Sequence, residues 1–267
     1  MVIVVTGASS GIGLAAAEAF AQRGHHVALV GRNQARLDEA LARVRASGGD
    51  AAAFRADFAV LDEVRALGER LAAEYPSIDV LANNAGGLVP RRSTTVDGFE
   101  TTIQTNHLAS FLLSNLLRDR LAGGRMVVTA SGAHQAGRLD PADLSMQEQR
   151  YLPFRAYGNA KQANILFAAE AARRWPDVFA TSYHPGTVRT RFGNESPLVA
   201  WYIRSAPWLR TAARGADTLV WLATEPTSTL VDGGYYMDRR LRTPARHAAD
   251  ADAAAKLWNA SLAAVGL

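Results

Sequence analysis

Short runs of aliphatic and β-branched residues recur along the chain, separated by longer stretches in which apolar positions repeat at helical spacing. The runs are Val2 to Val5, His26 to Val30, Ala51 to Ala56, Ile78 to Leu81, Arg125 to Thr129 and Val178 to Tyr183, with Gly233 to Met237 as a last, edge strand. Continuous rather than alternating, they fit strands buried on both faces. Between them an alanine-rich helix runs to Arg23, Asn33 to Ser47 is amphipathic and closed by Gly48-Gly49, and Asp62 to Tyr75 is stopped by Pro76. Phe99 to Leu121 reads as one long helix with Leu108, Phe111, Leu112 and Leu116 facing inward. A further helix carries Tyr157 and Lys161 to Trp175, Leu219 to Ala223 is helical, and the tail from His247 ends in a short helix around Leu257 and Trp258. Alternating strands and helices with right-handed crossovers predict an α/β fold: a doubly wound parallel sheet of about seven strands, helices on both faces, ligand at the carboxyl ends of the strands. No repeat or linker divides the chain, so residues 1–267 are expected to form a single domain, with an insertion at 135–155 and a lid at 192–214.

The polar residues with chemical potential fall at those strand ends. After the first strand comes Thr6-Gly7-Ala8-Ser9-Ser10-Gly11-Ile12-Gly13, then a helix, so that free N–H groups and the positive end of the helix dipole face the loop. That arrangement is a phosphate cradle, although its Gly-x-x-x-Gly-x-Gly spacing also suits a structural turn. The second strand ends in Gly31-Arg32-Asn33, and no carboxylate appears until Asp38. An acid near that place would accept from a ribose 2′-hydroxyl; Arg32 instead offers a charge-assisted bond to a 2′-phosphate, which favours NADP(H) over NAD(H). Asp57-Phe58 follows the third strand, where Asp57 could meet an adenine amino group or cap the next helix. Asn83-Asn84-Ala85-Gly86-Gly87 follows the fourth, and Ala130-Ser131-Gly132-Ala133-His134 the fifth. Ser131 is thereby delivered to the edge that holds the glycine loop, as a turn serine or a catalytic one.

Tyr157 and Lys161 are four apart on a predicted helix, on one face. A free phenol ionises near ~10, and bringing it to neutrality takes roughly 4 kcal/mol. One positive charge at ~4 Å supplies about that much at an effective dielectric near 20. A catalytic acid works best with its pKa near the operating pH, so the pair has a use beyond packing. Among 29 Lys and Arg residues only Lys161 and Lys256 are lysine, a compact ammonium kept where the chain otherwise writes arginine. Asn106, inside a helix, must find partners and is expected in a polar network.

Composition narrows the class. The charge of +4 comes from scattered arginines without a dense basic run or aromatic platform, which argues against nucleic acid and suits an anionic small molecule. The absence of cysteine excludes a thiol nucleophile, a disulfide scaffold and a cysteine metal site, and the six histidines have no metal-binding spacing, so no metal is expected. With no signal peptide or membrane span, a cytoplasmic protein is the expectation. Trp201, Tyr202, Ile203, Trp208 and Leu209 lie in the lid, which reads as a cover on the core, as the wall of an apolar substrate pocket, or as a weak peripheral membrane contact.

Taken together, Thr6-Gly7-x-x-x-Gly11-x-Gly13, Asn83-Asn84-Ala85-Gly86, Asn106, Ser131, Tyr157-x-x-x-Lys161 and Pro185-Gly186 resemble the short-chain dehydrogenase/reductase family over nearly the whole chain. The run from Ala156 to Phe167, His184-Pro185-Gly186-Thr187-Val188-Arg189-Thr190, and the 26-residue interval from Ser131 to Tyr157 resemble its retinol-dehydrogenase-like branch. The resemblance implies a Rossmann-type fold and hydride transfer between a nicotinamide cofactor and a carbonyl or alcohol. In it Tyr157 exchanges the proton, Lys161 lowers the Tyr157 pKa and holds the ribose, Ser131 binds the substrate oxygen, and Asn106 anchors a water. The nucleotide would meet Gly7, Ser9, Ser10, Gly11, Ile12 and Gly13, then Arg32, Asn33, Asp57 and Phe58. Asn83, Ala85, Gly86, Tyr157, Lys161, Pro185, Gly186, Val188 and Thr190 would complete its site. Substrate would lie against Ser131, Ala133, Tyr157, Trp201, Tyr202 and Trp208. Ser10 stands where many NADP-preferring relatives carry a basic residue, so that preference rests on Arg32. Relatives of the retinol type commonly begin with a membrane anchor that this chain lacks, and a ketone of a biosynthetic pathway is an equal candidate substrate. A non-catalytic NADP(H) sensor is the competing class. Family members often pair into homodimers or homotetramers through the helices that carry Asn106 and Tyr157.

Overall fold

A computed structural model describes residues 1–147, 150–188 and 209–267. Eight strands form one sheet: β1 Val2–Thr6, β2 His26–Gly31, β3 Ala51–Arg55, β4 Val80–Asn83, β5 Arg125–Thr129, β6 Phe179–His184, β7 Tyr235–Met237 and β8 Arg240–Arg242. Their order is β3-β2-β1-β4-β5-β6-β7-β8, parallel through β7. The order reverses between β1 and β4, which opens the crevice where such sheets bind ligands. The expected count of about seven is exceeded because β7 is not the edge. Asp238 and Arg239, both at positive φ (53° and 57°), turn the chain back so that β8 pairs antiparallel with it.

Period-two alternation explains why the runs are apolar throughout. Val4, Ala28, Val30, Leu81, Met126 and Val128 pack on one side with α3 (Leu61–Glu74), α5 (Ala109–Leu116) and α6 (Pro153–Arg174). Their neighbours Ile3, Val5, Val27, Leu29, Val80, Ala82 and Val127 pack on the other with α1 (Gly11–Ala21), α2 (Gln34–Ala46) and α7 (Ala212–Thr224). With both faces covered, a polar side chain in a central strand is buried whichever way it points.

The long helix predicted over Phe99 to Leu121 is broken. It starts as a single turn, α4 (Thr101–Ile103), capped by Glu100 through the Thr102 and Ile103 amides, and widens into a π turn over Gln104–Leu108. The Asn106 amide reaches Thr102 O at 2.9 Å, competing for an acceptor that a regular helix would use. Regular α5 follows, and the segment ends in a 3-10 turn, Arg118–Leu121. Leu139 and Leu144 pack with Ile103, Ala160 and Leu166, and Tyr151 Oη donates to Val89 O at 2.8 Å. Of the lid, 192–208 lie outside the described residues, and Ala212 to Arg214 already belong to α7, whose first turn is capped by Thr211.

The C-terminal helix is also longer than the sequence suggested, α8 spanning Ala251–Val265 with Asp250 capping it and Gly266 closing it at φ 68°. Trp258 anchors it. Its ring lies 5.0 Å from Phe111, 5.2 Å from Trp175 and 5.9 Å from Phe167, and the Arg174 guanidinium stands over its face at 5.1 Å. Trp258→Ala should lower stability by about 3–5 kcal/mol, read as a drop in urea midpoint with the slope retained.

Candidate active site

The glycine loop is shaped by contact. Gly7 adopts φ 67°, and a Cβ on Gly13 would stand 2.4 Å from Gly7 O. Gly11, at φ 57°, has open space around it. Ser10 is the N-cap of α1, but its side chain makes no capping bond and the first turn holds no acid. The first-turn amides therefore keep their hydrogens for a ligand, and the donor set fits a pyrophosphate. The Thr6 hydroxyl accepts from the Asn84 and Ala85 amides, each at 2.9 Å, and Asn84 Nδ2 donates back to Thr6 O at 2.9 Å. Thus Asn84, absent from the candidate set, clamps the loop, whereas the Asn83 side chain turns inward to Ser114 Oγ at 2.8 Å. Gly86 (φ 145°) passes so close to Asn106 that a Cβ would lie 2.2 Å from its Oδ1. Asn106 Oδ1 accepts from Gly87 N and its Nδ2 donates to Gly87 O, so this amide pins the loop after β4.

At the nucleotide end, Arg32 is exposed and makes no hydrogen bond or ion pair among the described residues. Arg36, one turn on, is exposed as well. The Asn33 side chain caps α2, its Oδ1 accepting from Arg36 N at 3.0 Å. Asp57 does not cap α3, whose N-cap is Val60; it closes a tight turn on Ala59 N instead. The Phe58 ring is packed in the core, and Ser9 lies against Gly31.

At the other end, Ser131 follows β5 in extended backbone, its Oγ accepting from Ala133 N at 3.2 Å, and its hydroxyl lies near enough to Tyr157 to pull the phenol down. The two meet because α6 presses on the turn after β5: a Cβ on Gly158 would stand 2.7 Å from Ala133 O. Ala133, expected to line the substrate pocket, is only 8% exposed and packs under this helix. Lys161 is 2% exposed; its Nζ donates to Thr129 O at 3.2 Å and lies 5.3 Å from the Tyr157 ring centre. Burial pushes Tyr157 up to about 12, against the pull of Ser131, and pushes Lys161 down to about 7. The expected lowering of the phenol by Lys161 is therefore not supplied by this pair alone. The lysine is itself desolvated, only part-charged near neutrality, and stands over the ring face.

His184, which ends β6, is a further polar group that the sequence did not single out. Its Nδ1 accepts from Gly186 N at 3.3 Å, and its Nε2 would be 3.2 Å from a Cβ on Gly132. Burial, with Arg210 as the next cause, pushes it down to about 4, so the ring is neutral. Gly186 (φ 82°) lies against the Arg210 side chain, which pairs with Asp238. Val188 bridges to Arg210 and packs on Gly215 of α7 beside Ile12. These contacts fold the strand end after Pro185 back over the glycine loop. Thr190, Trp201, Tyr202 and Trp208 lie outside the described residues.

A phosphate cradle and a Ser-Tyr-Lys cluster at the carboxyl edge of a parallel sheet define a nucleotide-dependent oxidoreductase, and the family model described as short chain dehydrogenase matches residues 1–198. The chain belongs to that family. Across 99% of its length it is 57% identical to a protein of Streptomyces sp. (strain C5) with the provisional name daunorubicin C-13 ketoreductase DnrU, of which it covers 92%. It is 34% identical to human retinol dehydrogenase 12, spanning all of this chain and 86% of the relative. Among solved structures, a short-chain dehydrogenase from Sphingobium yanoikuyae in complex with NADPH aligns at TM-score 0.66 and 27% identity over 83% of each chain. An uncharacterized protein from Mycobacterium paratuberculosis aligns at TM-score 0.82 and 33% identity, covering 99% of this chain and 93% of that one. Among the described residues no helix is long and apolar enough to cross a membrane, and no group of acidic or histidine side chains is arranged to hold a metal ion.

Proposed function

We propose that the protein is an NADP(H)-dependent ketoreductase that reduces the carbonyl of an apolar small molecule, with Tyr157 as proton donor. The observation that carries this reading is the meeting of Ser131, Tyr157 and Lys161 on the cofactor edge of the sheet, with Lys161 buried 5.3 Å from the tyrosine ring centre. The nicotinamide, when bound, supplies the hydride. Ser131 donates to the carbonyl oxygen and polarises it; as negative charge grows there, both hydroxyls bind it more tightly than they bound the ketone. Tyr157 then delivers its proton. A phenol held up at about 12 keeps that proton throughout the neutral range, and the alkoxide formed as hydride arrives is a stronger base still, so the proton passes to it. Lys161 binds the ribose, and the Asn106 segment serves the water route that restores the proton.

The 57% identity to a relative named for a ketone reduction supports a ketone of a biosynthetic pathway, of the daunorubicin kind, over a retinoid. The test is turnover of NADPH with a panel of polycyclic and aliphatic ketones. Cofactor binding without consumption, in either direction, would overturn it in favour of an NADP(H) sensor.

NADP(H) preference follows from Arg32, exposed and unengaged at the end of β2 where no acid is present, with Arg36 beside it. Arg32→Ala should weaken NADPH by about 10-fold or more, the worth of one charge-assisted bond, and leave NADH nearly unchanged, as read by fluorescence titration of both. Equal losses would make Arg32 merely structural.

A further inference from the structure

A chain of buried polar groups runs from Lys161 to the C-terminal helix, and the reaction derived above uses only its first member. The Thr129 carbonyl, last in β5, accepts twice: from Lys161 Nζ at 3.2 Å and from Asn164 Nδ2 at 3.0 Å. Asn164 lies one turn beyond Lys161 on α6 and is 2% exposed. Its Oδ1 is buried without a partner at bonding geometry, and so is Nδ1 of His107 in the π turn. The side chains adjoin, since the Asn164 amide acts to raise the His107 imidazole and the Lys161 charge to lower it. On its far side His107 Nε2 pairs with Ser261 Oγ of α8 at 2.9 Å.

One assignment satisfies the whole chain. His107 is fully buried and neutral, so only one ring nitrogen carries hydrogen. With Asn164 Nδ2 committed to Thr129, its free atom is an acceptor and needs a donor opposite. Nδ1–H of His107 is that donor, and Ser261 then donates to Nε2. Replacing any member leaves its neighbour buried and unpaired, which holds the others in orientation.

We propose that Asn164 is a positioning residue for Lys161, oriented through His107 by Ser261, so that the C-terminal helix helps fix the carbonyl on which the active-site ammonium rests. This rests on the role given to Lys161 above. The ionisable groups that face Lys161 are Tyr157 on its own helix and His107 from the π turn, with Tyr183 of β6 beyond Tyr157. Burial displaces its titration, and among the described residues no carboxylate acts on it.

The chain holds two lysines, Lys161 and Lys256, so the whole protein labelled with 13Cε-lysine gives two assignable signals, with Lys256→Arg fixing which is which. Lys161 should titrate near 7. Asn164→Asp, of equal size, puts a carboxylate in that contact and should raise the titration by about one to three pH units. Ser261→Ala, remote from the reacting atoms, should shift the Lys161 signal and lower kcat about 10-fold with KM for NADPH little changed, and Ser261→Thr should restore both. An unmoved Lys161 titration in folded Asn164→Asp, or an unmoved signal and kcat in folded Ser261→Ala, overturns the proposal. The titration needs no turnover, so the two readings fail separately. A wild-type protein that reduces nothing yet shows these shifts loses the reductase reading and keeps the positioning one.

Discussion

Tyr157→Phe should lower kcat by about 10²–10⁴-fold, the range for removing a positioned general acid, with NADPH affinity changed little. The phenyl ring keeps the packing of α6 against the turn after β5, and Lys161 keeps its Thr129 carbonyl. Only the hydroxyl that meets Ser131 is lost. The measurement is kcat against KM with a reducible ketone, together with a fluorescence titration of NADPH. Near-normal kcat would remove Tyr157 from the reaction. A parallel loss of NADPH binding would instead mean that the hydroxyl serves the cofactor. Since burial raises the phenol to about 12, the reductive rate should show no loss of Tyr157's proton between pH 6 and 9. A basic limb in that range would have to come from another group, and Lys161, at about 7, is the first candidate.

Gly13→Ala should abolish measurable nucleotide binding and lower stability by about 1–3 kcal/mol, as overpacking does. The added Cβ would stand 2.4 Å from Gly7 O and 2.6 Å from Asn84 Nδ2, so a backbone atom has to move. That motion disturbs the Thr6–Asn84 hydrogen bonds that hold the glycine loop to the loop after β4. Gly11→Ala is the control: its Cβ would meet nothing within 4 Å, and only the left-handed backbone at φ 57° opposes it, at about 1–2 kcal/mol. Thermal melts and NADPH titrations of the two variants separate packing from backbone strain. Equal binding losses would show that the ligand itself needs the open space at Gly11.

The residues assigned from the sequence do not all meet in one place, and the reasons are local. Asn83 and Asn84 are adjacent and identical in type, so nothing in the pattern says that one side chain faces the core and Ser114 while the other clamps Thr6. Phe99 to Leu121 has helical periodicity throughout; at its π turn the Asn106 amide bonds both Thr102 O and a loop 19 residues upstream, which periodicity does not record. Asp57 offered a cap for α3 and does not provide it, because its side chain reaches Ala59 N before the helix begins.

By itself the sequence determined the order of strands and helices, the two-sided burial of the sheet and the strand end from which each reactive group projects. Those follow from short-range rules: side-chain periodicity, the stop signals of glycine and proline, and the alternation of the backbone. Only the tertiary structure decided how Tyr157 and Lys161 ionise, which amide holds the glycine loop, and that a helix beginning 90 residues after Lys161 reaches its neighbourhood through Ser261 and His107. Desolvation and buried hydrogen bonds depend on every group that packs around an atom. Those groups come from β5, β6, the π turn and α8, which lie apart in the sequence and become neighbours only when the sheet forms.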